Sequence, residues 1–87
     1  FSIKQKNIFR KIAIDINNCV KNLRLEINEN YLYELKQKLY ENNIKKIDYL
    51  EVREEVKLKL TKKNYKARLF VAFYIDEIRI IDNFILY

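Results

Sequence analysis

The sequence predicts an α+β fold: two N-terminal helices, with a possible short third, packed on a C-terminal three-stranded antiparallel sheet. Three observations predict it. Apolar residues recur at helical spacing from Ile8 to Ile27 and again from Leu32 to Leu39. The period changes to strict alternation at Val56-Lys57-Leu58-Lys59-Leu60. Two runs rich in aromatic and branched residues then close the chain, KARLFVAFYI and IRIIDNFILY. The chain has 87 residues, which predicts one small basic domain over 1–87.

The first helix is expected from Ile3 to Ile27. Ile8, Ile12, Ile16, Val20, Leu23 and Ile27 form its inner stripe, and Ser2 with Gln5 reads as a capping box. Cys19 lies on that stripe and reads as a small core residue. The second helix is expected from Tyr31 to Glu41, with Leu32, Leu35 and Leu39 inward, antiparallel to the first across an Asn-rich turn. Its tyrosines read as core rather than as stacking surfaces.

Two readings compete from Asp48 to Lys63. In one, DYLEVREEV is a short helix capped by Asp48 and Glu51, and VKLKL is the first strand. In the other, a single helix runs through Val52, Val56 and Leu60. The strand reading joins VKLKL to KARLFVAFYI through a hairpin at TKKN, and that strand to IRIIDNFILY through Asp76-Glu77. There is no Gly and no Pro, so Asn and Asp must supply the turns. Ala67, Leu69, Val71, Phe73 and Ile75 fall on one face of their strand and form its core side. Val56, Leu58 and Leu60 are expected to pack on the helices.

Charge and composition narrow the chemistry. The formal net charge is +6, which favours an anionic partner, with nucleic acid first. A bias toward Ile, Lys, Asn, Tyr and Phe offers a mutational source for part of that charge. With no His, imidazole acid–base chemistry is excluded, and a single Cys leaves no ordinary zinc or iron–sulfur site and no internal disulfide. No metal and no cofactor are expected. The longest apolar run, Leu69 to Ile75, is far short of the ~20 residues that span a bilayer, so no membrane span is expected. The expected location is the cytoplasm, with an organelle matrix as the alternative. Phe1 stands where an initiator Met would, which points to a processed or trimmed product.

On the strand reading, Lys57, Lys59, Lys66 and Arg68 gather on the open face of the sheet, with Lys62 and Lys63 in the adjoining turn. Phe70 and Tyr74 add aromatic surfaces. Basic groups beside exposed rings suit RNA, where phosphates take the charge and bases stack. A solvated face whose lysines discourage edge pairing is the equal alternative.

These pieces resemble the RelE/HigB-type toxin superfamily, small basic RNases of bacterial toxin–antitoxin modules. The likeness is carried by VKLKL, TKKN, Tyr65-Lys66 followed by Arg68, LFVAFYI, the acidic turn and IRIID, and is best over residues 56–81. It implies a ribosome-associated RNA-binding protein that cleaves mRNA without a metal, active or degenerate. Lys57 and Lys59 would be its strand lysines, and Lys66 or Arg68 the cation facing the developing phosphate charge. Tyr87 would be the candidate for the proton-handling group at the end of the sheet. Lys62, Lys63, Lys66, Phe70 and Tyr74 would bind RNA. The implied partners are RNA or the ribosome, with an antitoxin or an assembly neighbour as a protein partner. The alternatives are a non-enzymatic small basic subunit of a large assembly such as a ribosome, and a protein-interaction or inhibitor domain.

Overall fold

The computed structural model describes residues 1–87. Helix α1 spans Ile3–Leu25 and α2 spans Glu29–Glu41; strands β1 (Ile47–Glu54), β2 (Ala67–Ile75) and β3 (Ile78–Ile85) follow. The sheet is antiparallel in the order β1-β2-β3. The α+β architecture with the sheet C-terminal is therefore as the sequence predicts.

Helix α1 starts where its cap demands. The Gln5 backbone N–H donates to Ser2 Oγ at 3.1 Å, and the Ser2 N–H donates to Gln5 Oε1 at 2.8 Å. Both bonds satisfy donors that a bare helix end leaves orphaned. Ser2→Ala should cost about 1 kcal/mol, read as a fall of a few degrees in the thermal midpoint by circular dichroism. An unchanged midpoint would mean the cap is replaced by water at no loss. The helix stops at Leu25, two residues short of the expected Ile27, because Glu26 is extended at φ −158°. Helix α2 begins two residues earlier than expected, at Glu29, because Asn28 caps it by accepting from the Asn30 N–H at 2.9 Å. Of its tyrosines only Tyr31 packs against the core; Tyr33 and Tyr40 are exposed.

Without glycine, the tight turns fall to other residues. Asn43 ends α2 at φ 64°, and Asp76 turns the β2–β3 hairpin at φ 53°. Both side chains tolerate the left-handed region. Leu58 (φ 54°) and Lys66 (φ 48°) enter it too, where a Cβ is costly.

The first strand is not where the alternation placed it. Residues 47–54 pair with β2, and Val56 to Leu60 form a turn and loop instead. The short helix over DYLEVREEV and the long helix over 48–63 are likewise absent, and TKKN is loop rather than hairpin turn. Two physical facts decide this. Ile47, Leu50 and Val52 are the residues that reach the core under α2, but a bulge between Ile47 and Tyr49 hides their alternation. Glu54 then folds the chain back: its carbonyl accepts from Leu58 N–H at 3.1 Å and its Oε1 from Lys57 N–H at 3.1 Å. Val56, Leu58 and Leu60 consequently stay exposed, and only an isolated Arg53–Leu60 bridge remains of the expected strand pairing.

Strand β2 does follow its pattern. Ala67, Leu69, Val71, Phe73 and Ile75 are all buried and join Ile12, Ile16, Leu23, Leu35 and Leu39 in one core. Cys19 is buried in that same core.

Candidate functional site

Two surfaces collect the polar chemistry: the loop between β1 and β2, and the open face of the sheet. This loop, residues 55–66, is rich in lysine: Lys57, Lys59, Lys62, Lys63 and Lys66. Its path is fixed from several sides. Glu54 N–H donates to the Lys59 carbonyl at 3.0 Å, Thr61 N–H to Val52 at 3.2 Å, and Glu55 N–H to Lys66 at 2.9 Å. Arg53 Nη1 donates to the Leu58 carbonyl at 2.6 Å, which holds the left-handed Leu58 in place. Asn64 Nδ2 donates to the Arg24 carbonyl at 3.0 Å and ties the loop to the end of α1.

The five lysines are exposed, and none of them is in an ion pair. Lys66 lies over the Tyr65 ring at 5.5 Å. Lys62, with Leu60 and Thr61, forms one wall of a cleft of about 800 Å³. The opposite walls come from Glu26 and Ile27 in the α1–α2 connection, Leu32 on α2, and Leu50 and Glu51 on β1. Lys62 thus lines an open cleft with its charge unspent, and the other four lysines belong to the same loop.

The second surface is the open face of the sheet. Register puts Glu51 and Arg53 of β1, Arg68, Phe70 and Tyr74 of β2, and Arg79 and Asn83 of β3 on it. Arg53 stands directly opposite Arg68, a like-charge pair that needs neutralising. Glu51 Oε2 lies 2.9 Å from Arg53, and Glu55 Oε2 lies 3.5 Å from Arg68 Nε. Asp48 lies 2.9 Å from Arg79. Arg68 Nη1 also donates to Asn83 Oδ1 at 2.8 Å. Each arginine on this face therefore has a carboxylate.

Tyr87 completes this cluster, its hydroxyl donating to Glu55 Oε1. That hydrogen bond, some burial and the Glu55 charge raise the phenol above its ordinary pKa, with Arg68 opposing them. A phenol held protonated by a carboxylate acceptor is a fastener, not a ready base. Tyr74 sits under Lys46 at 4.7 Å, and Phe70 is half-buried among the polar groups.

The structure thus divides the expected site. Arg68, Tyr87, Phe70 and Tyr74 share the open face. Lys57, Lys59, Lys62, Lys63 and Lys66 are in the loop, not on a strand, so strand pairing does not set Lys57 and Lys59 beside Lys66 and Arg68. Its physical premise, VKLKL as a strand, fails at the Glu54 turn. Glu55, Arg53 and Asp48 are the organising residues that sequence reasoning missed. The only signal for Glu55 and Arg53 is one Arg set among acidic residues in EVREE. No three His, Cys, Asp or Glu side chains stand together as a metal ion would require. No helix is long and apolar enough to cross a membrane.

The family model for pantoate-beta-alanine ligase matches residues 4–85. The chain belongs to the pantoate-beta-alanine ligase family. The match runs from the first turn of α1 to the end of β3, so it takes in both helices, the lysine loop and the whole sheet of this ligase-family fold. It overturns the RelE/HigB resemblance and, with it, the RNA-binding, ribosomal and mRNA-cleaving readings. The assembly-subunit and inhibitor alternatives gain no support either. The toxin likeness rested on VKLKL as a strand, and geometry removes that basis as well. No curated protein and no solved structure matches the chain.

Proposed function

We propose that this chain serves in joining pantoate to β-alanine, and that its part is to gather and hold the anionic reactants. The family match over residues 4–85 carries the reading. The chemistry of the residues supports the division of labour. Amide formation from a free carboxylate needs that carboxylate activated, which in a ligase draws on a nucleoside triphosphate. The chain has no His, and its two side chains with displaced pKa values are the buried Cys19 and the fastened Tyr87. Neither suits acid–base work near neutral pH.

Binding is where the chain is well equipped. Pantoate is a carboxylate and a nucleoside triphosphate is strongly anionic. Unpaired lysines beside an open cleft raise the local concentration of such ligands and speed their capture. Lys57, Lys59, Lys62 and Lys63 take this role, with Lys66 behind them. Arg68 and Tyr87 hold Glu55 and through it the base of the loop. Phe70 and Tyr74 support the open face. One folding unit over 1–87 with a reduced, unpaired thiol fits work in the cytoplasm.

The test is amide formation from pantoate, β-alanine and ATP by the protein containing this chain, followed by mass spectrometry. The quadruple variant Lys57→Gln, Lys59→Gln, Lys62→Gln, Lys63→Gln should raise the KM for an anionic reactant by roughly tenfold, with a smaller change in kcat. Raising the salt should shrink the difference between the two proteins. Absence of the amide from the unaltered protein would refute the ligase reading. Product formation with an unchanged KM would refute the lysine assignment alone.

A further inference from the structure

Strand β3 is an edge of the sheet, and its unpaired backbone can be read from three bonds. In an antiparallel ladder, N–H and C=O groups alternate inward and outward along the strand. Leu86 N–H points inward, to the Ala67 carbonyl at 3.1 Å. Asn83 N–H points outward and is capped by Asp82 Oδ1 at 2.8 Å. The Ile85 carbonyl also points outward and accepts from Arg24 Nε at 3.0 Å. The outward groups of the odd positions Arg79 and Ile81 have no such cap. The edge is closed at one end and open across 79–81.

The surroundings of that opening have a definite chemistry. Phe9, Ala13 and Asn17 of α1 face Ile80 and Phe84 of β3 across an apolar groove. Ile81 is 58% exposed on the other face of the same strand. Along the flank of α1 that passes Asn17 and Arg24, helical spacing places Lys6, Arg10 and Lys21, all exposed. The only carboxylate on α1, Asp15, lines the crevice toward α2 instead. Asp82, the one acid at the groove, is occupied by Asn83 N–H. An open strand edge therefore lies beneath a row of four cations.

We propose that the β3 edge takes an extended acidic segment of a partner protein as a fourth strand, seated under the basic flank of α1. Main-chain bonds to Arg79 and Ile81 would give the register. Acidic side chains on the helix side would meet Lys6, Arg10, Lys21 and Arg24, and apolar ones on the other side would cover Ile81. A second copy is the poorer occupant. A two-fold pairing of β3 with itself would bring two such cation rows face to face.

The probe is a fluorescein-labelled peptide of alternating Glu and Val, with a Lys and Val peptide as control, at about 50 mM salt, where screening is weak. The acidic peptide should bind. Lys6→Glu with Arg10→Glu should weaken it by at least about tenfold. Ile81→Pro should do the same, since an edge strand tolerates proline where the N–H faces outward. In the unaltered chain, amide exchange at Ile81 should slow when the peptide is added. Equal binding of the two peptides, no binding of the acidic one, or unchanged Ile81 exchange on binding would each overturn the proposal. So would dimerisation through β3 without any peptide, seen by sedimentation as loss of the dimer in Ile81→Pro.

Discussion

Phe73→Ala should leave the chain largely unfolded at 25 °C. Phe73 is fully buried on the middle strand, with Ile47 and Ile80 as its cross-strand neighbours. Cutting such a ring to a methyl group costs about 3–5 kcal/mol, from lost transfer energy and the cavity left behind. A domain of this size has a total stability on the order of ~5 kcal/mol. Loss and total are comparable, so the folded population collapses. Urea titration followed by far-ultraviolet circular dichroism reads this directly. The variant should show no folded baseline, or a midpoint near zero denaturant. A cooperative transition shifted by less than about 1 kcal/mol would mean that the core repacks around the cavity.

Thiol labelling of Cys19 gives the second large effect. Burial, then the nearby Glu34 charge, pushes its pKa from 9.0 up to about 12. Only the thiolate attacks, so at pH 8 the folded protein should label about a thousandfold more slowly than unfolded chain from this cause alone. Iodoacetamide uptake by mass spectrometry, with and without urea, checks it. Rapid labelling of folded protein would mean that α1 opens around Cys19. The same shift links stability to pH. The folded pKa is raised, so the contribution is fully present below pH 9 and is lost as pH rises from about 9 towards 12. Phe73→Ala should abolish the protection, which joins the two measurements.

The elements that were legible in the sequence are those whose own residues decide them. The capping box at Ser2 and Gln5 and the inner stripe of Ile12, Ile16, Val20 and Leu23 specify α1 without help from the rest of the fold. The β2 face is legible because its alternating residues are apolar throughout and the strand is central. Asp76 marks the hairpin because a left-handed residue is required there. Arg68 and Tyr87 could be recognised as candidates, but their common partner, Glu55, could not. The ion pair at 3.5 Å exists only because Glu54 turns the chain and brings Glu55 back beside β2.

Local pattern alone determined the two helices, the last two strands and the excess of positive charge. Tertiary structure decided which segment became the first strand. VKLKL alternates more cleanly than IDYLEVRE, yet the place beside β2 goes to the segment that also covers α2. Ile47, Leu50 and Val52 reach that core through a bulge that no periodicity reveals. Once they occupy it, Val56 to Leu60 have no second surface to bury, and the lysines among them become a loop beside a cleft. Strand formation depends on partners distant in sequence, and the burial they offer outweighs local alternation.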